Sequence, residues 1–227
     1  MTPSKRHQDK FIEDIQSNHS KTIDMILNHA YIAALEKKEI SREKLEIFVY
    51  EQYHIISNDR RNFALMISKA SNNIAIELFV DCFFVEVNAL KNLLLMAEEL
   101  GISRKKIESY EPLAGCHAYT NYLTRLAVYG SDAEILTAML VDLPVWGANC
   151  NKISVALKKN YDFKSNSCTF LDKFATPLPE EFINKSNGLI ISSLPIKEKE
   201  VHTAARLILD YELSFWDTIY KYSIIIK

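Results

Sequence analysis

The sequence predicts an all-α protein, an up-and-down helical bundle in a single domain over residues 1–227. Three observations carry this. Only five glycines and six prolines punctuate the 227 residues. Long stretches repeat apolar residues at helical spacing. No Asn-Gly or Asp-Gly hairpin signal stands between alternating strands.

Taken in order, the first helical region runs from His7 to Lys38 and bends near Asn18. Ile12, Ile15, Ile23, Ile26, Leu27 and Tyr31 carry its apolar side. Ser41 opens a second helix, whose stripe of Leu45, Val49, Gln52, Ile56, Asp59, Phe63, Met66 and Ala70 holds two polar intruders, Gln52 and Asp59. Ser71 or Asn72 caps a third helix that ends at Leu100, with Gly101 as its C-terminal glycine. Its stripe of Phe79, Cys82, Glu86, Leu90 and Leu93 also holds one acid. A short helix at Ser103–Ser109 stops before Pro112. The next helix, Leu113–Tyr129, ends at Gly130 and carries Tyr119 and Tyr122.

Ser131 and Glu134 have capping-box spacing and open a helix that reaches about Lys159. On it Ile135, Met139, Asp142, Trp146, Asn149 and Ile153 share one face, so Asp142 points to the core. Buried carboxylates are costly unless paired, protonated or functional. Pro144, two residues on, removes an intrahelical hydrogen bond and tends to bend the helix. Asn160–Ser167 reads as a loop, and Pro177 and Pro179 separate two shorter helices after it. The last helix runs from about Ile196 to Tyr222, where Glu212 interrupts a stripe between Ile208 and Phe215.

Composition excludes several classes. Nearly half the chain is hydrophobic and the net charge is −2. Charge is spread along the chain, so neither a nucleic-acid nor a membrane partner is expected. The polar start Thr2-Pro3-Ser4-Lys5-Arg6-His7 has no signal-peptide core, and no apolar run spans a membrane. A soluble cytoplasmic protein is the expectation. Cys82, Cys116, Cys150 and Cys168 form no C-x-x-C pair and read as buried thiols, with a Cys150–Cys168 bridge left open. Of six histidines only His54 has a glutamate three residues before it, Glu51. Both lie off the apolar stripe and read as an exposed helix face, so neither a metal nor another cofactor is expected. P-loop, dinucleotide and G-x-S-x-G motifs are absent.

What remains is a set of core-facing polar groups, Gln52, Asp59, Glu86, Asp142 and Glu212. Buried carboxyls near one another have their pKa values pushed apart, which supplies an acid and a base. Aromatic neighbours suit a flat heterocycle.

Three stretches together resemble the TenA/thiaminase II family, whose fold is the all-helical one of haem oxygenase and PqqC. They are Ala118-Tyr119-Thr120-Asn121-Tyr122-Leu123, Met139–Trp146, and Tyr211-Glu212-Leu213-Ser214-Phe215-Trp216. Phe48–Tyr53 is a weaker match. The resemblance implies a haem-oxygenase-like bundle, a homo-tetramer, and hydrolysis of aminopyrimidine breakdown products of thiamin. It assigns Glu212 to proton handling, Tyr119 to the site and Phe215 to the pocket. The family's nucleophilic cysteine falls at Asp142 (or Val145 if the Leu-Pro pairs are aligned), its pyrimidine-binding aspartate at Gln52, and a pocket tyrosine at Trp146. Cys150 lies two turns past Asp142, ~12 Å along the axis. The chain thus resembles the branch that lacks the thiol. The expected site has Asp142 and Glu212 as catalytic pair and Tyr119, Gln52, Trp146, Phe215 and Tyr122 around a small pyrimidine. The alternatives are a non-catalytic pyrimidine-binding or interaction protein and a PqqC/CADD-like oxidase.

Overall fold

In the computed structural model, residues 5–194 and 196–225 are described. Thr2, Pro3 and Ser4 lie outside them, as do the side chains of Lys5, Arg6 and His7. The described residues form helices and connecting turns, with no strand among them.

The N-terminal helical region, expected to bend near Asn18, breaks there and once more, giving α1 (Lys5–Asn18), α2 (Ser20–Leu27) and α3 (Ala30–Glu36). The second break has a local cause. His29 is extended, and its Nδ1 accepts the Tyr31 backbone N–H at 3.1 Å, capping α3 where the periodic pattern hides a boundary. Side chains of a later helix then satisfy the loose carbonyls at these ends. Asn149 donates to Ile26 O, Lys152 to Leu27 O, and Asn160 to Glu36 O.

Two long helices come next, α4 (Leu45–Lys69) and α5 (Asn73–Glu99), packed along their length after a short turn. Asn72 caps α5 by accepting from Ala75 N, and Gly101 ends it at φ 71°, a conformation that favours glycine. The short α6 (Arg104–Glu108) leads to α7 (Ala114–Tyr129). Helix α8 (Asp132–Asn160) is the axle of the bundle. Every residue from Ala133 to Asp142 is buried, because α3, α9, α10 and α11 surround it. Its Ser131/Glu134 capping box is fully formed. Pro144 is exposed, so α8 runs through it unbroken with the disturbed hydrogen bond on the outside. A 3₁₀ turn leads into α9 (Thr169–Phe174). After it come α10 (Glu180–Ser193) and α11 (Glu198–Tyr220), which packs on α7 and α8. Gly147 allows α9 its seat: a Cβ there would lie 2.5 Å from Phe174 O.

All four cysteines are buried free thiols, so Cys150 and Cys168 form no bridge. No helix among the described residues is long and apolar enough to cross a membrane.

Candidate active site

Helices α4, α5, α7, α8 and α11 enclose a cleft with an empty volume of ≈ 480 Å³. Each helix presents its polar intruder there. Gln52 and Asp59, two turns apart on one face of α4, enter from one side, and α5 adds Glu86. Tyr119 comes from α7, Asp142 and Trp146 from α8, Glu212 and Phe215 from α11. Among the described residues no Lys, Arg or His lines it.

The two carboxyls that face one another across α8 and α11 have separate environments. Asp142 and Glu212 are each 2% exposed. Tyr119 donates its hydroxyl to Asp142 Oδ2 at 2.7 Å, and Trp216 donates its indole N–H to Glu212 Oε1 at 3.1 Å. Asp142 Oδ1 and Glu212 Oε2 are buried and meet no N–H or hydroxyl donor. The two carboxyls influence each other's titration, so one of them gains from holding a proton while the other is ionised. Burial raises the Asp142 pKa to about 6, held there by the bonds from Glu212 and Tyr119, which favour its ionised form. Burial, then the Asp142 charge and the bond to it, push Glu212 well above the usual carboxylate range. Near neutral pH the pair is therefore an ionised Asp142 beside a protonated Glu212. Tyr119 is driven well above the ordinary phenol value by burial and by the Asp142, Asp59 and Glu212 charges, so it stays a donor.

Aromatic rings form the walls. Trp146 is near-parallel to Phe48 (9°, 6.3 Å between centroids) and meets Phe215 at 6.0 Å and Phe174 at 6.2 Å. Of the residues expected in the site, Asp142, Glu212, Tyr119, Gln52, Trp146 and Phe215 line this cleft, and Tyr122 does not. Three residues after Tyr119, it leaves α7 at a different angle and packs on Tyr211, 5.1 Å between centroids. Phe174 lines the cleft unanticipated, because the six-residue α9 is too short to show a periodic face.

Glu51 and His54 correct another expectation. Glu51 is fully buried rather than on an exposed face. It accepts from Tyr110 OH at 2.7 Å and Leu113 N at 2.9 Å, and the His54 ring lies 6.2 Å from that of Tyr110. α4 has two covered faces, one on the cleft and one under the segment between α6 and α7. Among the described residues no three His, Cys, Asp or Glu side chains converge to hold a metal ion.

Known proteins share this fold. A stretch of 114 residues aligns at 27% identity with an aminopyrimidine aminohydrolase of Halalkalibacterium halodurans, covering 50% of this chain and 51% of that one. The chain spans about half the length of the curated relatives it matches. A TenA homologue from Pyrococcus furiosus superposes with a TM-score of 0.74 at 20% identity, covering 92% of this chain and 98% of that one. A haem-oxygenase-like domain from Shewanella denitrificans superposes at 0.77 and 16% identity, over 92% and 91%. The bundle is thus a haem-oxygenase-like fold, and, with residues 16–222 matching its family description, the chain belongs to the TENA/THI-4/PQQC family.

Proposed function

We propose that this protein is an amine-releasing hydrolase of aminopyrimidine-type compounds in thiamin salvage, with Asp142 doing the work of a general base. The observation that carries the reading is the buried pair Asp142 and Glu212, each 2% exposed, lining an aromatic cleft together with Tyr119. The pyrimidine stacks among Trp146, Phe215 and Phe174. Gln52, whose amide both donates and accepts, bonds a ring nitrogen and its exocyclic amine.

Asp142 takes a proton from water as the water oxygen bonds to the carbon bearing the amine. The C–N bond breaks, and Glu212 passes its proton to the departing nitrogen. A carboxylate is a weaker nucleophile than a thiolate towards an aromatic ring, so base-assisted attack by water suits it better than a covalent intermediate. Gln52 supplies no charge, which disfavours thiamin itself as substrate. Tyr119 keeps Asp142 ionised and oriented.

The test is hydrolysis of aminopyrimidine and formylaminopyrimidine by wild type, Asp142→Asn and Glu212→Gln. The reading expects turnover in wild type and losses of ~10²–10⁴-fold in each variant. Equal turnover in all three removes it. A second reading, a pyrimidine binder without turnover, draws on Trp146, whose indole fills part of the cleft wall; calorimetric binding with no product would establish it.

A further inference from the structure

Beside Tyr119 lies a buried polar network that the proposed reaction does not use. Helices α4 and α7 run parallel, and α4 holds α7 at three heights. Glu51 accepts from Leu113 N at the start of α7, and Lys69 donates to Ala127 O and Val128 O at its end. Both of these grips engage the α7 backbone. The middle grip is built from side chains. Asp59 Oδ1 accepts from Thr120 Oγ1 at 2.5 Å and from Asn62 Nδ2 at 3.2 Å. Thr124 Oγ1 lies 3.0 Å from Asn62 Oδ1 and 2.9 Å from Thr120 O, so its one proton is shared between them. Thr120 is fully buried, and Asp59 and Asn62 are 4% and 6% exposed.

Polar side chains in a helix seam cost desolvation, and apolar residues of the same volume can fill such a seam without it. What directed bonds add is angle: they hold α7 at one rotation and one rise against α4. The residue just before Thr120 is Tyr119, whose hydroxyl donates to Asp142 Oδ2 on α8 at 2.7 Å. The Thr120 hydroxyl stays close to the helix, whereas that of Tyr119 is at the far edge of a ring. A rotation of α7 that shifts the first therefore carries the second about twice as far. A bond of 2.7 Å tolerates little of this before it weakens.

We propose that Asp59, Asn62, Thr120 and Thr124 are positioning residues, which set the rotation of α7 so that the Tyr119 hydroxyl meets Asp142. Their place in catalysis rests on Asp142 being the base of the reaction. Only Asp59 of the four lines the cleft. The network thus joins the α4–α7 seam to the chemistry.

The experiment is a carbon-13 NMR titration of the aspartate carboxyls, with the Asp142 signal identified by its loss in Asp142→Asn. The titratable groups that line the cleft with Asp142 are Asp59, Glu86, Tyr119 and Glu212. Thr120→Val keeps the shape of the side chain and removes its hydroxyl. If Tyr119 is displaced, Asp142 loses the bond that favours its ionised form, and its midpoint should rise by about one pH unit. Electrostatics alone predicts the opposite sign. Without the Thr120 donor Asp59 is more readily neutral, and a neutral Asp59 eases ionisation of Asp142. Thr120→Ser restores the hydroxyl and should titrate as wild type. A midpoint that stays or falls in Thr120→Val, or a rise shared equally by Thr120→Ser, overturns the proposal. Should Thr120→Val fail to fold, Thr124→Val, at the exposed edge of the network, is read in its place: a smaller rise is expected, and none overturns the proposal. The titration needs no turnover. The expected shifts in a protein that hydrolyses no aminopyrimidine would uphold the positioning while the hydrolase reading fails, and turnover with an unmoved titration would do the reverse.

Discussion

Replacing Asp142 by Asn separates stability from activity in one substitution. Asn keeps the shape of the side chain and an acceptor for the Tyr119 hydroxyl, and removes the charge. In the folded protein Asp142 titrates at about 6, against 3.8 for a free side chain. The folded state therefore binds more protons than the unfolded chain between those values. Stability falls as pH rises through this window, and stays reduced above it. A shift of roughly two units at 1.36 kcal/mol each comes to about 3 kcal/mol. The amide variant carries no such penalty. Loss of the neighbouring charge also eases ionisation of Glu212, which acts in the same direction. At pH 8 the variant should therefore be more stable by about 3 kcal/mol, or ~6–12 °C in melting temperature for a chain of this size. At pH 4 the two proteins should melt nearly together. Thermal melts across that range, run beside the hydrolysis assay, measure both effects. A variant that melts at or below wild type at pH 8, or differs by the same amount at every pH, refutes the argument that Asp142 is held ionised against its surroundings.

Tyr119→Phe deletes the 2.7 Å bond that favours the ionised Asp142. A hydrogen bond to a charged group is worth ~1.5–3 kcal/mol, so the rising limb of the pH–rate profile should move up by about 1–2 units. An unmoved limb would show that the hydroxyl does not set this titration. Glu51→Ala strands the Tyr110 hydroxyl and the Leu113 N–H. A loss of ~2–4 kcal/mol is expected in denaturant unfolding, with Glu51→Gln much milder because it retains an acceptor. Gly147→Ala places a methyl 2.5 Å from Phe174 O and should push α9 from α8, destabilising by ~1–3 kcal/mol and weakening ligand binding through displaced Phe174. Unchanged melting and affinity would show that α9 shifts freely.

The architecture was legible wherever a long helix kept one face in phase. Gln52 and Asp59 stood out because residues two turns apart on a predominantly apolar stripe must share an environment, and the same logic marked Glu86, Asp142 and Glu212. The capping box at Ser131 was legible because its chemistry is confined to four consecutive residues. Some features could not be read because they depend on distant partners, others because a local choice leaves no pattern. Glu51 is buried by Tyr110 and Leu113, which lie about sixty positions on, beyond any periodic signal. The break at His29 turns on one imidazole accepting a backbone N–H, a choice that histidine seldom announces. Tyr122 was grouped with Tyr119 by proximity in sequence, although three positions on a helix are not the same direction.

The cleft takes its polar side chains from the interiors of helices rather than from loops. Even the orientation of Glu212 is set by Trp216, one turn further along the same helix. The consequence is a division of freedom in sequence change. Connecting turns can lengthen, shorten and change composition without moving a reacting atom, and most outward helix positions can drift. Angular phase is the property that must be kept. One residue inserted into α8 before Asp142 would rotate the start of the helix by ~100° relative to its remainder. The capping box and the carboxylate could then no longer both occupy their present places. A chain built this way can diverge to 20% identity from the Pyrococcus homologue and still superpose on it.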